Sequence, residues 1–174
     1  MNWLPLENEY ADFYAGYVAN IKGKNVLRVL EEQLAAIPPK LADLSKSQWA
    51  YRYAEGKWSV KELIGHLTDA ERVFAYRAWR FGRGDTETEL PGFDENAYVK
   101  GAHFDTYSVE LLIQDWQSTR MGTLSLRRGL TDEMGLNSGI ASGKRMSVRA
   151  LFAVTAGHTI HHINVLNERY GLAI

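Results

Sequence analysis

The sequence predicts an all-α fold, a four-helix bundle running up-down-down-up with one long crossover between helices two and three. Apolar residues recur at helical spacing in long stretches. Hydroxyl residues stand where two of those stretches begin, and alternating strand patterns are almost absent. The 174 residues fit a single domain spanning 1–174, built on one core.

Taken in order, Glu9 to Ile21 reads as a short aromatic-rich helix, ended near Gly23. Val26, Leu27, Val29, Leu30, Leu34, Ile37 and Leu41 set a helix over 25–44. Pro38 and Pro39 inside it predict a kink or break, because each ring removes an amide donor and crowds the preceding turn. Residues 45–58 read as a connection. Ser59-Val60-Lys61-Glu62 is a capping box, so a long helix follows to about Arg80. Arg77 and Arg80 suit its C-terminal end and a solvated face, as does Arg72. Residues 81–106 contain Gly82, Gly84, Pro91 and Gly92 and read mostly as loop. A third helix runs from about Ser108 to Gly129. The stretch GLNSGIASGKRMS reads as a turn or small hairpin, and Ser147 caps a last helix that ends at Tyr170 before Gly171.

Composition excludes several functions. Net charge is −1 and the basic residues are not clustered, which argues against a nucleic-acid footprint. The chain has no cysteine, so disulfides, thiolate metal ligands and a cysteine nucleophile are ruled out. No apolar run approaches the ~20 residues that span a bilayer. The N-terminus lacks the pattern of a secretory signal. These features together read as a cytoplasmic protein.

Three of the five histidines fall within five positions of the last helix, in GHTIHHINVLNERY. At about 100° per residue, His162 lies about 40° from His158, and both sit in the stripe of Leu151, Thr155, Val165 and Leu166. His161 falls at the flank. His66 is likewise central in the stripe of Leu63, Ala70, Val73 and Phe74, with Asp69 about 60° to one side. If these helices run antiparallel, His66, His158 and His162 meet roughly 10 Å from one end of the bundle. A short turn joins helices three and four and makes them antiparallel. Helices two and three must then be parallel, which requires a connection of about 33 Å, within reach of residues 81–106.

A lone buried histidine is usually a core residue with one hydrogen-bond partner. Three converging ones are costly to bury without a partner, and a divalent metal resolves the cost. Three protein ligands with a free position are the layout of a catalytic rather than a structural site. Thr159 stands where a zincin helix carries its glutamate, so that general base is missing. Asp69 reads either as a group orienting His66 or as a surface residue. Glu62 reads as a cap, and His103 is assigned nothing. Trp49, Tyr51, Tyr53 and Trp58 lie near the site end, as pocket walls or as core.

The stretches GKWSVKELIGHLTDAERVFAYRAWRFGRGD (56–85), LPGFDENAYV (90–99), MSVRAL (146–151) and GHTIHHINVLNERY (157–170) resemble the DinB-like superfamily of metal-binding bundles. With AGYVANI near the start, the resemblance covers nearly the whole chain. It implies a left-handed bundle with one crossover, a homodimer, and a site of His66, His158 and His162 holding zinc or nickel. The activities it implies are thiol-dependent S-transfer, with a low-molecular-weight thiol as co-substrate, maleylpyruvate isomerisation, or hydrolysis of a small molecule. It does not select among them. A non-catalytic metal-binding dimer of the stress response stays open as the alternative. Neither nucleic acid nor membrane is expected as a partner.

Overall fold

Four helices are long enough to carry a continuous apolar stripe: α2 (Val26–Ala42), α4 (Val60–Gly82), α6 (Val109–Arg128) and α7 (Val148–Tyr170). The computed structural model describes residues 2–174. In it these four form the bundle, with α1 (Ala15–Ala19), α3 (Lys46–Ala50) and α5 (Glu95–Ala102) outside it. A two-stranded antiparallel hairpin, β1 (Ser138–Ala141) and β2 (Lys144–Ser147), precedes α7.

The contacts fix the directions. The Tyr170 hydroxyl, at the end of α7, donates to the Trp58 carbonyl just before α4, so these two are antiparallel. Lys61 bonds the Tyr107 carbonyl at the start of α6, and Leu130, past its end, lies over Gly82. Helices α4 and α6 are therefore parallel. Arg128 near the end of α6 pairs with Glu31 near the start of α2. The result is up-down-down-up, as the sequence predicts. Helices α6 and α7 are antiparallel but face each other diagonally, since the bundle's neighbours are α4 with α6 and α7, and α2 with α6 and α7.

Local sequence explains the ends. Ser59 Oγ accepts from the Glu62 amide while the Glu62 carboxylate accepts from the Ser59 amide, the reciprocal cap expected of this box. Ser147 and Ser108 cap α7 and α6 with the hydroxyl alone, accepting from the Ala150 and Leu111 amides, and Gly171 ends α7 in the left-handed region at φ 69°.

Four expectations are corrected. Helix α2 runs unbroken through Pro38 and Pro39; both stand near its C-terminal end, so any bend they cause displaces only the short segment to Ala42. The connection 45–58 holds α3, capped by Ser45. The stretch read as a short helix over 9–21 is two 3-10 turns followed by α1. The long loop contains α5, capped by Asp94, and a 3-10 turn at Phe104–Thr106. Only Val99 of α5 is buried, so no apolar stripe marks it.

One buried network joins all four bundle helices. Arg120 on α6 is fully buried and uses all five donors. Nε and Nη2 bond the two Glu71 oxygens on α4 at 2.7 and 2.9 Å. Nη1 bonds the Leu30 carbonyl and Gln33 Oε1 on α2, and Nη2 also reaches Thr159 Oγ1 on α7. Gln33 in turn donates to the Ala156 carbonyl of α7 at 2.8 Å. Removing Glu71 leaves the Arg120 charge buried without its counterion. Glu71→Ala is expected to cost about 3–5 kcal/mol, read from the urea midpoint at unchanged slope.

Helix α7 is buried on nearly every side over its first half because α1 covers its outer face. The closest approach is at Gly157, where a Cβ would stand 1.9 Å from the Tyr17 carbonyl oxygen. Asn20 Nδ2 bonds the Gly157 carbonyl at 3.1 Å. Gly157→Ala must push α1 away, at an expected cost of about 1–3 kcal/mol in the same unfolding measurement.

Candidate metal centre

Antiparallel α4 and α7 bring His66 level with His158 and His162. The Nε2 atom of His158 lies 3.2 Å from that of His66 and 3.0 Å from that of His162. One nitrogen from each ring falls within 4.8 Å of the others. His66 and His158 are 2% and 5% exposed, and His162 is half-buried. The convergence expected from the helical wheel is present.

Burial pushes all three imidazoles down. His66 falls to about 4 and His162 to about 3, the latter also feeling His66 and His161. His158 lies well below its ordinary value, through burial first and the neighbouring rings second. All three are neutral at pH 7. Neutral rings cannot satisfy one another here, because one ring nitrogen has a single lone pair or a single proton and His158 Nε2 faces two partners. His162 Nδ1 is buried with no partner, so that ring is held through Nε2 alone. A divalent cation would accept all three inner lone pairs at once. Nitrogens about 2.1 Å from one tetrahedral zinc stand about 3.4 Å apart, close to the spacings seen. The donor set fits such an ion.

Aromatic rings surround the cluster. Trp58 packs on His66 at 4.7 Å between centroids, Tyr17 stands edge-on to His158 at 5.1 Å, and Phe74 is 5.9 Å from His158. Two cavities reach it from different sides. One, of about 250 Å³, is lined by Tyr53, Trp58, Glu95, His162 and Tyr170. The other, of about 240 Å³, is lined by Tyr17, His66, Phe74, Arg77, Glu95 and His158. Tyr53 and Trp58 are thus walls, whereas Trp49 is core and Tyr51 is exposed.

Glu95, absent from the sequence reading, lines both cavities. Its Oε2 lies 4.0 Å from His66 Nε2 and its side chain is half exposed. It opens α5, which the crossover carries past the histidines. The Asp94 cap in FDENA was the signal that could have marked it. Asp69 instead pairs with Arg72, which also holds Asp115. His161 is exposed and packs on Tyr17 outside the cluster. His103 caps α5 in a left-handed conformation and lies outside the cluster. Arg77 is not solvated: it is 2% exposed, at the wall of the second cavity.

A three-histidine group that could hold a metal ion, in the core of an up-down-down-up bundle, defines the kind of helical protein to be matched. The model of the DinB superfamily matches residues 30–166, and the chain belongs to that family. A protein of Geobacillus thermodenitrificans (strain NG80-2) named "Putative metal-dependent hydrolase" is 24% identical over 153 residues, covering 85% of each chain. Bacillus subtilis YfiT, described as "a probable metal-dependent hydrolase with an unusual four-helix bundle topology", superposes with a TM-score of 0.74 at 22% identity. That match covers 85% of this chain and 87% of YfiT. A mycothiol-dependent maleylpyruvate isomerase superposes with a TM-score of 0.63 at 14% identity, over 85% of this chain and 60% of that one. The likeness to both structures is one of fold.

The depressed histidines have a thermodynamic consequence for metal-free protein. The unfolded chain takes up protons near the ordinary value of 6.5, which the folded chain refuses until about 4 at His66 and about 3 at His162. Their contribution is present above about pH 6.5 and is lost as pH falls through those folded values. The urea midpoint is expected to drop between neutral pH and about pH 5, with a smaller drop in His66→Gln. A midpoint flat over that window would contradict the burial of neutral rings.

Proposed function

We propose that His66, His158 and His162 hold one divalent cation, zinc or nickel, and that the protein is a metal-dependent enzyme acting on a small molecule. Hydrolysis is the reaction the reading favours, in keeping with the name of the Geobacillus relative. The observation that carries it is the convergence of three neutral Nε2 atoms between two cavities. A saturated structural site would have no use for such access, which weighs against a non-catalytic stress-response dimer.

When bound, the cation supplies Lewis-acid activation of a water or a thiol, making a nucleophile available at neutral pH. The protein's own groups do the rest. Neutral imidazoles present lone pairs without competing protons. Glu95 Oε2 is placed to take the proton released by the nucleophile and to return it to the leaving group. Trp58, Tyr17 and Phe74 keep bulk water from the reacting atoms.

Thiol transfer is the second reading. Two cavities meeting at one centre suit two reactants, a low-molecular-weight thiol and an electrophile. In either version the protein acts in the cytoplasm as a homodimer, with neither nucleic acid nor membrane as partner. Among the described residues, no helix is long and apolar enough to cross a membrane.

Metal analysis of protein purified without a histidine tag tests the reading. About one zinc or nickel per chain is expected in wild type, with loss in His66→Ala, His158→Ala and His162→Ala. Glu95→Gln should keep the metal and lose roughly 10²- to 10⁴-fold in turnover of an ester, amide or thiol-plus-electrophile panel. Wild type that takes up no metal on reconstitution would sink the proposal.

A further inference from the structure

The cavity over His66 and His158 has a buried positive charge in its wall with no counterion. Arg77 on α4 is as buried as Glu71, and no carboxylate lies within ion-pair distance of it among the described residues. Arg120, the other fully buried arginine near the site, has Glu71 on two nitrogens. Arg77 has neutral partners only. Its Nη2 donates to the Pro91 carbonyl and to Ser142 Oγ, each at 2.8 Å, and the Tyr14 hydroxyl stands beside it. A guanidinium stays charged at any physiological pH, so burying it among neutral groups is costly.

The fold goes out of its way to hold this group. Pro91 comes from the crossover and Ser142 from the tip of the hairpin. Leu90 bridges the two by bonds to Ile140 and Ser142. Ser142 and Gly143 both have positive φ, 53° and 69°, as the two-residue hairpin turn requires. Asn, Asp or Gly suits the first of those positions, and a serine there is strained. Its hydroxyl is the Arg77 partner.

We propose that Arg77, flanked by Ser142 and Tyr14, binds the carboxylate of a small substrate whose apolar body lies along Phe74, Phe93 and Tyr17 toward His66 and His158. One uncompensated cation matches one negative charge, and Glu95 on the same cavity opposes a second. About 240 Å³ holds about eight waters at about 30 Å³ each, so the ligand has on the order of ten heavy atoms. This assignment rests on the metal centre being the enzyme's site, because it names the substrate class of that site.

The test is equilibrium binding of para-fluorobenzoate and of neutral para-fluorobenzamide, followed by fluorine NMR on chelator-treated protein. Without metal, the carboxylate has no ion to bind. Wild type is expected to prefer the acid by about 10- to 100-fold, the worth of a charge-assisted bond. Arg77→Met should bring the acid down to the level of the amide and leave the amide unchanged, and Arg77→Lys should restore part of the preference. Equal affinities in wild type overturn the proposal whether or not any variant folds, and so does a preference that survives Arg77→Met. Metal content of the same preparations separates the two readings. Acid preference without metal uptake keeps the anion subsite and removes the metal enzyme. Metal uptake without acid preference does the reverse.

Discussion

The bidentate pair of Arg120 and Glu71 is the constraint on which the rest of the molecule depends. It lies at the centre of the bundle, and its hydrogen bonds fix the relative height of all four long helices. Apolar packing alone lets a helix slide by a turn at small cost, since one leucine layer resembles the next. Five donors meeting five acceptors in a dry core admit one arrangement. Thr159 is the neighbour of His158, and Ala156 lies one half-turn before it. The register that places His158 opposite His66 is therefore set by a polar network directly beside it.

Two kinds of chain segment then meet at the histidines. The rings come from rigid helices and are wedged by Tyr17, Trp58 and Phe74. Glu95, Phe93 and the Pro91 carbonyl come from the crossover, and Ser142 comes from the hairpin. The long connection thus does more than reverse direction. Parallel α4 and α6 oblige it to travel the length of the bundle, and its route runs over the site.

How much of this was legible in the sequence depended on whether a residue's neighbours lie on its own helix. His66, His158 and His162 share apolar stripes with residues three and four positions away, so the 3.6-residue period exposed them. The caps at Ser59, Ser108 and Ser147 are local in the same way. Arg77 could not be read, because a cation near a helix end is ordinarily solvated, and only the crossover and hairpin bury this one. Arg120, Glu71 and Gln33 were silent for the same reason, being spread over three helices. Glu95 sits on a helix with one buried residue, too little for periodicity to detect. Pro38 and Pro39 misled because the disruption a bend causes depends on how much helix follows it. Here little does.

The division between bundle and crossover also separates what a change in each would alter. The three histidines and the Arg120 network lie wholly in α2, α4, α6 and α7. The segment between α4 and α6 supplies walls and a carboxylate but no histidine of the cluster and no member of that network. Its replacement or lengthening would redraw the two cavities while the nitrogen triad kept its spacing.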